Sequence, residues 1–231
     1  MRLYPFDMIP IKKLLTRENY KYEFSMYDRY ANGKVVIDAG ANIGIHAVYL
    51  SRLAKTVYAF EPVLQTFEWL QETTNLNKRT NIVPVNSALG DTVSTAQMHI
   101  FIPGKSVWNS IHIPTMPTTE EGAKPVSTQM VHITTLDAFA KYNNLDNIGF
   151  IKIDVEGHEL AVLRGAHRLL SEACIDVLSF EVAEPHVKDA TPIFNLLKSY
   201  GYTTTKPYIP SPHDQNYYAV SKKVHHEVML E

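Results

Sequence analysis

The sequence predicts an α/β fold built on a parallel sheet. From Val35 onward, short β-branched apolar runs alternate with segments whose apolar residues recur at helical spacing, which is the pattern of βαβ units. Two of these runs, at 35–37 and 148–153, lead into carboxylates and then glycine, as buried parallel strands do before a ligand-binding turn. The 231 residues, 45% of them hydrophobic, suffice for one domain with a full core.

Composition narrows the classes of partner. The formal net charge is -2 with acids and bases scattered, so we expect neither nucleic acid nor an anionic membrane surface as a partner. Cys174 is the single cysteine, which excludes an intrachain disulfide and a cysteine-rich zinc site and suits a reducing compartment. No run has the pattern of a signal peptide or the length of a membrane span. We therefore expect a soluble, cytoplasmic protein that acts on a small molecule or a glycan; no oligomeric state is predicted.

Two segments frame or interrupt the predicted domain, which runs from 35 to 231. Residues 1–34 interleave charged and aromatic side chains, which predicts a helical cap that either closes over the site or simply covers the core. Between predicted strands at 98–102 and 130–133 lies an insertion rich in proline, at about 103–129, typical of a functional loop. We expect it to face the substrate through Trp108, Asn109, Ser110 and His112, although Trp108 is equally suited to packing.

The first strand leads into a glycine turn that predicts a nucleoside site. Gly40 and Gly44 allow the chain to turn tightly and to approach a ligand closely. Glu61 ends the second strand 21 residues beyond Gly40, close to the spacing at which an acidic residue meets ribose hydroxyls. An ordinary turn between strand and helix is the alternative interpretation.

The charge of this turn favours S-adenosylmethionine as the cofactor. Dinucleotide sites usually carry G-x-G-x-x-G to cradle a pyrophosphate, whereas here Asp38 precedes Gly40 and one glycine fewer follows. A carboxylate repels a pyrophosphate and attracts ammonium and sulfonium groups. A nicotinamide-dependent oxidoreductase stays open as an alternative, although an evident tyrosine–lysine pair at short spacing is missing as well.

A third strand is predicted over 82–88. Pro84 argues against a central position in the sheet because proline cannot donate to a strand ladder. Its last residues, Asn86, Ser87 and Ala88, are small or polar and are expected at the same sheet edge as Gly40, where they either border an adenine or merely end the strand.

A second group of carboxylates follows the strand at 148–153. Asp154, Glu156 and His158 come directly after it, and Glu181 ends a later strand predicted over 175–182. Because ligands bind beyond the carboxyl ends of parallel strands, all four are candidates for the catalytic base. Asp154 alternatively orients the acceptor or the cofactor's ammonium group, Glu156 caps a helix, His158 is a surface residue, and Glu181 merely ends its strand.

Clustered carboxylates can also bind a divalent cation such as Mg²⁺. The spacing of these residues does not require one, so no metal site is predicted.

With these residues placed, the sequence resembles the FkbM-type family of S-adenosylmethionine-dependent methyltransferases. The matching pieces, in order, are VIDAGANIG at 36–44, AFEP at 59–62, ALG at 88–90, TLD at 135–137, IKIDVEGHE at 151–159 and VLRGA at 162–166. Residues 1–34, the loop from Pro103 to Gln129 and the C-terminal tail match no part of the family pattern, and substrate choice usually resides in such regions.

The resemblance implies a class I methyltransferase fold, a Rossmann-like three-layer sandwich with a seven-stranded, mostly parallel sheet and a reversed pair of strands at its edge. It implies that the glycine turn holds the methionine part of the cofactor, Glu61 the ribose and the Ser87 region the adenine. The expected cofactor-binding residues are Asp38, Gly40, Ala41, Asn42, Gly44, Glu61, Pro62, Asn86, Ser87, Ala88 and Asp154. Such proteins typically methylate hydroxyl groups of sugars, glycans or secondary metabolites; a non-catalytic binding module on this fold is a further alternative.

Overall fold

A seven-stranded sheet forms the centre of the computed structural model, which describes residues 26–101, 109–111, 124–183, 189–205 and 214–224. Its strands lie in the order β3-β2-β1-β7-β8-β10-β9. Neighbours among β3, β2, β1, β7 and β8 are parallel, and β10 runs antiparallel to both β8 and β9. The strands are β1 Val35–Ala39, β2 Thr56–Phe60, β3 Ile82–Val85, β7 Ile148–Ile153, β8 Ile175–Ala183, β9 Thr203–Thr205 and β10 Asp214–Val220.

Helices cover both faces of this sheet. The short helical segment 26–30 and the first two helices pack on one face, and the remaining four pack on the other. The helices are α1 Ile45–Leu50, α2 Leu64–Leu76, α3 Leu136–Tyr142, α4 Glu159–Arg164, α5 His167–Ser171 and α6 Thr191–Ser199. The predicted three-layer α/β sandwich with a mostly parallel sheet and antiparallel pairing at one edge is confirmed, and β10 is the one reversed strand among those described.

Alternation along the central strands explains the two hydrophobic layers. Val36 lies in register with Phe150 and Ile37 with Ile151, and successive side chains of a strand point to opposite faces. All four are buried, because a parallel sheet with helices on both sides buries both faces. The carboxyl ends of β1, β2, β7 and β8 consequently meet at one edge.

The predicted third strand is too long. It ends at Val85 in the structure, and Ala88 begins β4 (Ala88–Leu89), which belongs to a second sheet of three strands that was not predicted. This sheet has the order β4-β6-β5, with β5 spanning Ser94–Ile100 and β6 Ser127–Thr134. Pro84 lies on β3, the edge strand of the main sheet, so no ladder bond is lost there.

The small sheet also corrects the borders of the insertion. The antiparallel ladder pairs Ser94 with Ile133 and Ile100 with Ser127. The strand predicted at 98–102 therefore begins and ends earlier, and the strand predicted at 130–133 lies within the longer β6. The insertion therefore ends before Ser127. Of the loop residues expected near the substrate, Asn109 and Ser110 are described, and Trp108 and His112 lie outside the described residues.

Two further observations concern helices. After Gly157 the chain forms two short helices, α4 and α5, which are separated at Gly165. Of the predicted cap 1–34, only the part from residue 26 onward is described. Within the described ranges, we find no helix that combines the length and the apolar character that crossing a membrane requires.

Candidate functional site

The glycine turn after β1 packs directly against the end of β7. The amide of Asp154 donates to the carbonyl of Ala39 at 3.0 Å, and a Cβ on Gly40 would collide with the backbone oxygen of Asp154. Gly40 has a φ of 82° and Gly44 a φ of 90°, and a Cβ on Gly44 would lie 2.6 Å from a methyl carbon of Leu70. The two glycines therefore allow the turn to pack closely on β7 and α2, in addition to any close approach to a ligand.

Most amides of the turn are already used inside the protein. Gly40 and Ala41 both donate to the carbonyl of Phe60, at 3.1 and 2.8 Å, and Gly44 donates to Ala41 at 2.8 Å. The amide of Asn42 donates to Oε2 of Glu61 at 3.1 Å. A pyrophosphate needs such amides as donors, so this turn is poorly suited to a dinucleotide.

Glu61 is held beside the turn at the end of β2. Its Oε1 accepts a hydrogen bond of 2.9 Å from the amide of Val63, and only 6% of the residue is exposed. Burial raises the pKa of Glu61 to about 7; the amides of Val63 and Asn42 oppose this shift, and the charge of Asp38 adds to it. A fixed carboxylate with further lone pairs is the group expected to accept from a ribose diol.

Asp38, on β1, is a further carboxylate beside the glycine turn. It is fully buried and lies in register with Lys152 of β7, so the two residues share one face of the sheet. With Glu61 and Asp154, it gives the turn an environment of carboxylates rather than of donors. This set fits a cofactor with a cationic end and a ribose, as S-adenosylmethionine has.

Lys152 forms an ion pair with Asp154 on the buried side of the crevice, which is the space beyond the carboxyl ends of β1, β2, β7 and β8. Its Nζ lies 2.7 Å from Oδ2 of Asp154, and its side chain is 6% exposed against 35% for that of Asp154. Burial disfavours the charged carboxylate, but the ammonium of Lys152, a hydrogen bond from Glu181 and the charge of His46 together hold the pKa of Asp154 below its usual value. Asp154 is therefore an ionised group that faces the crevice.

Three of the four predicted bases come together. Carboxylate oxygens of Asp154, Glu156 and Glu181 lie within 4.8 Å of one another. Burial and then the charges of Asp154 and Glu156 raise the pKa of Glu181 well above its usual value. Glu181 thus donates a hydrogen bond to Asp154 at neutral pH, as expected when carboxylates share a site. A spacing this short also permits a shared cation.

Glu159 fixes the backbone of the turn that carries Glu156. Its Oε1 accepts from the amides of Val155 and Gly157, both at 3.2 Å, and Glu156 takes a left-handed φ of 53°. The hydroxyl of Ser110 donates to the carbonyl of Glu156 at 2.8 Å. The insertion therefore reaches this turn, where Ser110 is fully buried and supports the backbone.

His158 and the residues after β3 have surroundings unlike those of the carboxylate cluster. The Nε2 of His158 lies 3.2 Å from where a Cβ on Gly90 would be, so its ring packs towards the small sheet.

Asn86 donates to the carbonyls of Glu61 and Pro62, at 2.9 and 3.1 Å. The hydroxyl of Ser87 lies 3.0 Å from the carbonyl oxygen of Ala88 and 3.1 Å from that of His132, and its one hydrogen is shared between these two acceptors. These bonds tie β2, β3 and the small sheet together beside Glu61.

Comparison with known families identifies the chain. The model of the methyltransferase FkbM domain matches residues 38–204, well over half of the 231 residues. The chain belongs to the FkbM methyltransferase family. The match includes the glycine turn, Glu61 and the whole carboxylate cluster.

Two curated relatives of the chain are also named methyltransferases. The hexuronic acid methyltransferase AglP of Haloferax volcanii is 29% identical over 168 residues, which are 71% of this chain and 62% of that protein. Methyltransferase 1 of Beauveria bassiana is 26% identical over 59% of each chain. The FkbM chain described here thus spans about three fifths of the length of the curated relatives that it matches.

Solved structures agree on the fold. Methyltransferase FkbM from Methylobacillus flagellatus KT has a TM-score of 0.58 at 21% identity, over 83% of this chain and 44% of that one. SMU.1697c from Streptococcus mutans, a putative methyltransferase in complex with SAH, has a TM-score of 0.53 at 12% identity, over 88% and 98%. The chain has the class I methyltransferase fold.

Sequence reasoning missed two basic residues of the site. Lys152 lies in a predicted buried strand, and a lysine is almost never buried without a partner, so that rule was the available signal. His46 follows the glycine turn in α1 and influences Asp154 electrostatically. Nothing in its spacing distinguished it from a residue that packs on the sheet.

Proposed function

We propose that the protein is an S-adenosylmethionine-dependent methyltransferase that methylates a hydroxyl group of a sugar, a glycan or a small secondary metabolite. The observation that supports this most strongly is the chemistry of the turn after β1. Its amides at Gly40, Ala41, Asn42 and Gly44 are donated within the protein, while carboxylates surround it. That set suits a cationic nucleoside and disfavours a pyrophosphate.

The residues that would hold the cofactor lie around this turn. Glu61 would accept hydrogen bonds from the ribose, Asp38 and Asp154 would face the cationic end, and the Ser87 region would border the adenine. When bound, S-adenosylmethionine supplies an electrophilic methyl group. The protein's own contribution is largely alignment of the acceptor, which is worth about 7–11 kcal/mol of barrier in favourable cases.

Asp154 is the group we assign to the acceptor hydroxyl. It is ionised and partly exposed, so it orients the hydroxyl and takes its proton as the new bond to carbon forms. Glu181 carries a proton at neutral pH and therefore acts as a hydrogen-bond donor to Asp154, not as a second base. Glu156 completes the acidic rim, and general-base assistance of this kind typically contributes about 10²–10⁴-fold in rate.

The alternatives predict different behaviour. A nicotinamide-dependent oxidoreductase has no support from the family to which the chain belongs. A non-catalytic binding module on the same fold would bind the cofactor weakly or not at all, or would bind it without turnover. The cytoplasmic location, like the absence of nucleic-acid partners, stays a prediction from the sequence.

The direct test is transfer of a labelled methyl group. The protein is incubated with methyl-labelled S-adenosylmethionine and a panel of hydroxylated acceptors that includes neutral hexosides, uronic acids and polyhydroxylated metabolites. We expect label in one class of acceptor, as a methyl ether, with release of S-adenosylhomocysteine. Binding of the cofactor with no transfer to any member would favour the binding module.

A further inference from the structure

Glu159 is a buried residue that has no role in the proposed binding of cofactor or acceptor. It is 2% exposed and is the first residue of α4. A single oxygen, Oε1, accepts hydrogen bonds from the amides of Val155 and Gly157, at 3.2 Å each. Because these two amides flank Glu156, one side chain fixes the backbone on both sides of a member of the carboxylate cluster.

Glu156 has a backbone conformation that its residue type does not favour. Its φ of 53° is left-handed, a region that glycine and asparagine enter far more readily than glutamate. Among the described residues, the others except glycine with a positive φ are Asn42, Lys78, Asn144 and Ala173. The last three lie two residues beyond the ends of α2, α3 and α5, where a left-handed residue commonly terminates a helix. Glu156 follows a strand, so helix termination does not explain it.

A residue of the insertion holds Glu156 from another direction. The hydroxyl of Ser110 donates to the carbonyl of Glu156 at 2.8 Å, and Ser110 is fully buried. The backbone of Ser110 is paired with that of His99 on β5, through bonds of 2.9 and 3.3 Å. An unfavourable backbone conformation persists only where the surrounding structure determines it strongly. Glu159 on α4 and Ser110 beside the small sheet provide this determination.

The side chain of Glu156 lies where an acceptor can use it. A turn that only joined β7 to α4 would be more stable with glycine at this position. The carboxylate of Glu156 instead has an oxygen within 4.8 Å of oxygens of Asp154 and Glu181. We propose that Glu159 is a positioning residue for methyl transfer: with Ser110, it holds Glu156 so that its carboxylate accepts a hydrogen bond from the acceptor. This inference rests on the proposed function and adds positioning residues to it.

Thermal unfolding tests the strain at Glu156 without any acceptor. Glu156→Gly removes the crowded Cβ, and we expect the melting temperature to rise by about 2–4 °C. Lys78→Gly is the matched control, because Lys78 has the same φ of 53° but is exposed after α2. It should raise the melting temperature similarly. Both variants should keep the Kd of S-adenosylmethionine, measured by calorimetry, within about twofold.

Methyl transfer then separates the two glycine variants. The assay uses labelled S-adenosylmethionine and the member of the acceptor panel that takes up label with the wild-type protein. Glu156→Gly should lower kcat/KM for this acceptor by at least about tenfold, because a hydrogen bond from the acceptor to a charged group is lost. Lys78→Gly should leave kcat/KM unchanged.

A double-mutant cycle tests whether Glu159 acts through Glu156. Glu159→Leu removes the acceptor of both amides and should lower kcat/KM by about tenfold in the otherwise wild-type protein. In the Glu156→Gly background it should lower kcat/KM by no more than about twofold, because the side chain that it positions is already absent. Glu159→Gln keeps an oxygen that accepts from the two amides and should retain kcat/KM within about threefold.

Ser110→Ala provides the same test from the other side of the turn. It removes one hydroxyl and should lower kcat/KM by about threefold with Glu156 present, and not at all in the Glu156→Gly background. If Glu159→Leu does not fold, the cycle with Ser110→Ala and the rescue by Glu159→Gln decide the question.

Three results would overturn the role of Glu159. The first is wild-type methyl transfer by Glu156→Gly. The second is a melting temperature that falls in Glu156→Gly while it rises in Lys78→Gly, and the third is an equal loss of kcat/KM in both backgrounds of the cycle, which indicates a purely structural side chain. In all three, the wild-type protein still transfers methyl groups and the proposed function stands. If the wild-type protein labels no acceptor, the proposed function fails and this inference fails with it.

Discussion

Replacing Lys152 with methionine removes the buried ammonium beneath Asp154 and keeps most of the apolar volume of the side chain. The two charges are 2.7 Å apart in the structure. Because Asp154 points into an acidic cluster with Glu156 and Glu181, the loss of the ammonium that pairs with it leaves its charge beside that of Glu156 without compensation. We expect Lys152→Met to destabilise the fold and to disorder the site together.

The magnitude follows from the burial of the pair. Removing one partner of a fully buried ion pair costs about 3–5 kcal/mol. The side chain of Asp154 is 35% exposed, so water partly replaces the lost partner, and we expect a loss of about 2–3 kcal/mol in the free energy of unfolding. Asp154→Asn in the same background should recover part of this loss, because the uncompensated charge is then absent.

Urea denaturation at pH 7 measures this loss, and a second lysine provides the control. Lys34 pairs with Asp176 at 2.8 Å, but its side chain is 41% exposed, so Lys34→Met should cost no more than about 1 kcal/mol. The reasoning is refuted if Lys152→Met is no more destabilising than Lys34→Met. It is also refuted if Asp154→Asn makes the Lys152→Met variant less stable still.

The dependence on pH has a definite sign. The pKa of Asp154 is lowered in the folded protein, so its contribution to stability is present above the usual pKa of aspartate and is lost as pH falls through the lowered value. In Lys152→Met that depression disappears. The difference in stability between wild type and variant should therefore be full at neutral pH and shrink as the solution is acidified below about pH 4.

Three other changes have separate outcomes. Asp154→Asn should reduce methyl transfer by at least about 10²-fold while the circular dichroism spectrum stays that of the folded protein; wild-type turnover would remove Asp154 from the chemistry. Burial raises the pKa of Glu159 from 4.5 to about 7, so the folded state loses stability as pH rises through that range. Glu159→Gln should flatten the decline of the melting temperature between about pH 5 and 7, and a variant with the wild-type slope would contradict the assignment. Because no metal is predicted, activity should survive a strong chelator undiminished, and a loss that Mg²⁺ restores would show that Asp154, Glu156 and Glu181 share a cation.

The main sheet was predictable because its signals are local. Periodic apolar runs ending in Asp38, Glu61 and Asp154 place the strands, and parallel strands bring their carboxyl ends to one edge. Pro84 correctly indicated an edge strand. The helix at Leu136–Tyr142 was signalled by Thr135, whose side chain accepts from the amide of Ala138, the usual form of an N-cap.

The small sheet and the inner side of the site were not predictable in the same way. The ladder that joins Ser94 to Ile133 crosses the insertion, and pairing across so many residues leaves no periodic trace between them. The bond from Ser110 to the carbonyl of Glu156 and the contact of Tyr27 with His46 are likewise tertiary. A single residue that is brought to the site only by such a tertiary contact cannot be distinguished, in the sequence, from a residue that packs in the core.

Titration calorimetry with S-adenosylmethionine and with NAD tests the central claim most directly. We predict one equivalent of S-adenosylmethionine bound per chain and no heat from NAD. Glu61→Gln should weaken the binding by about tenfold, because one of the two oxygens that can accept from the ribose hydroxyls is replaced by an amide donor. Binding of NAD in preference to S-adenosylmethionine would contradict the account, since it would show that the turn around Gly40 receives a pyrophosphate.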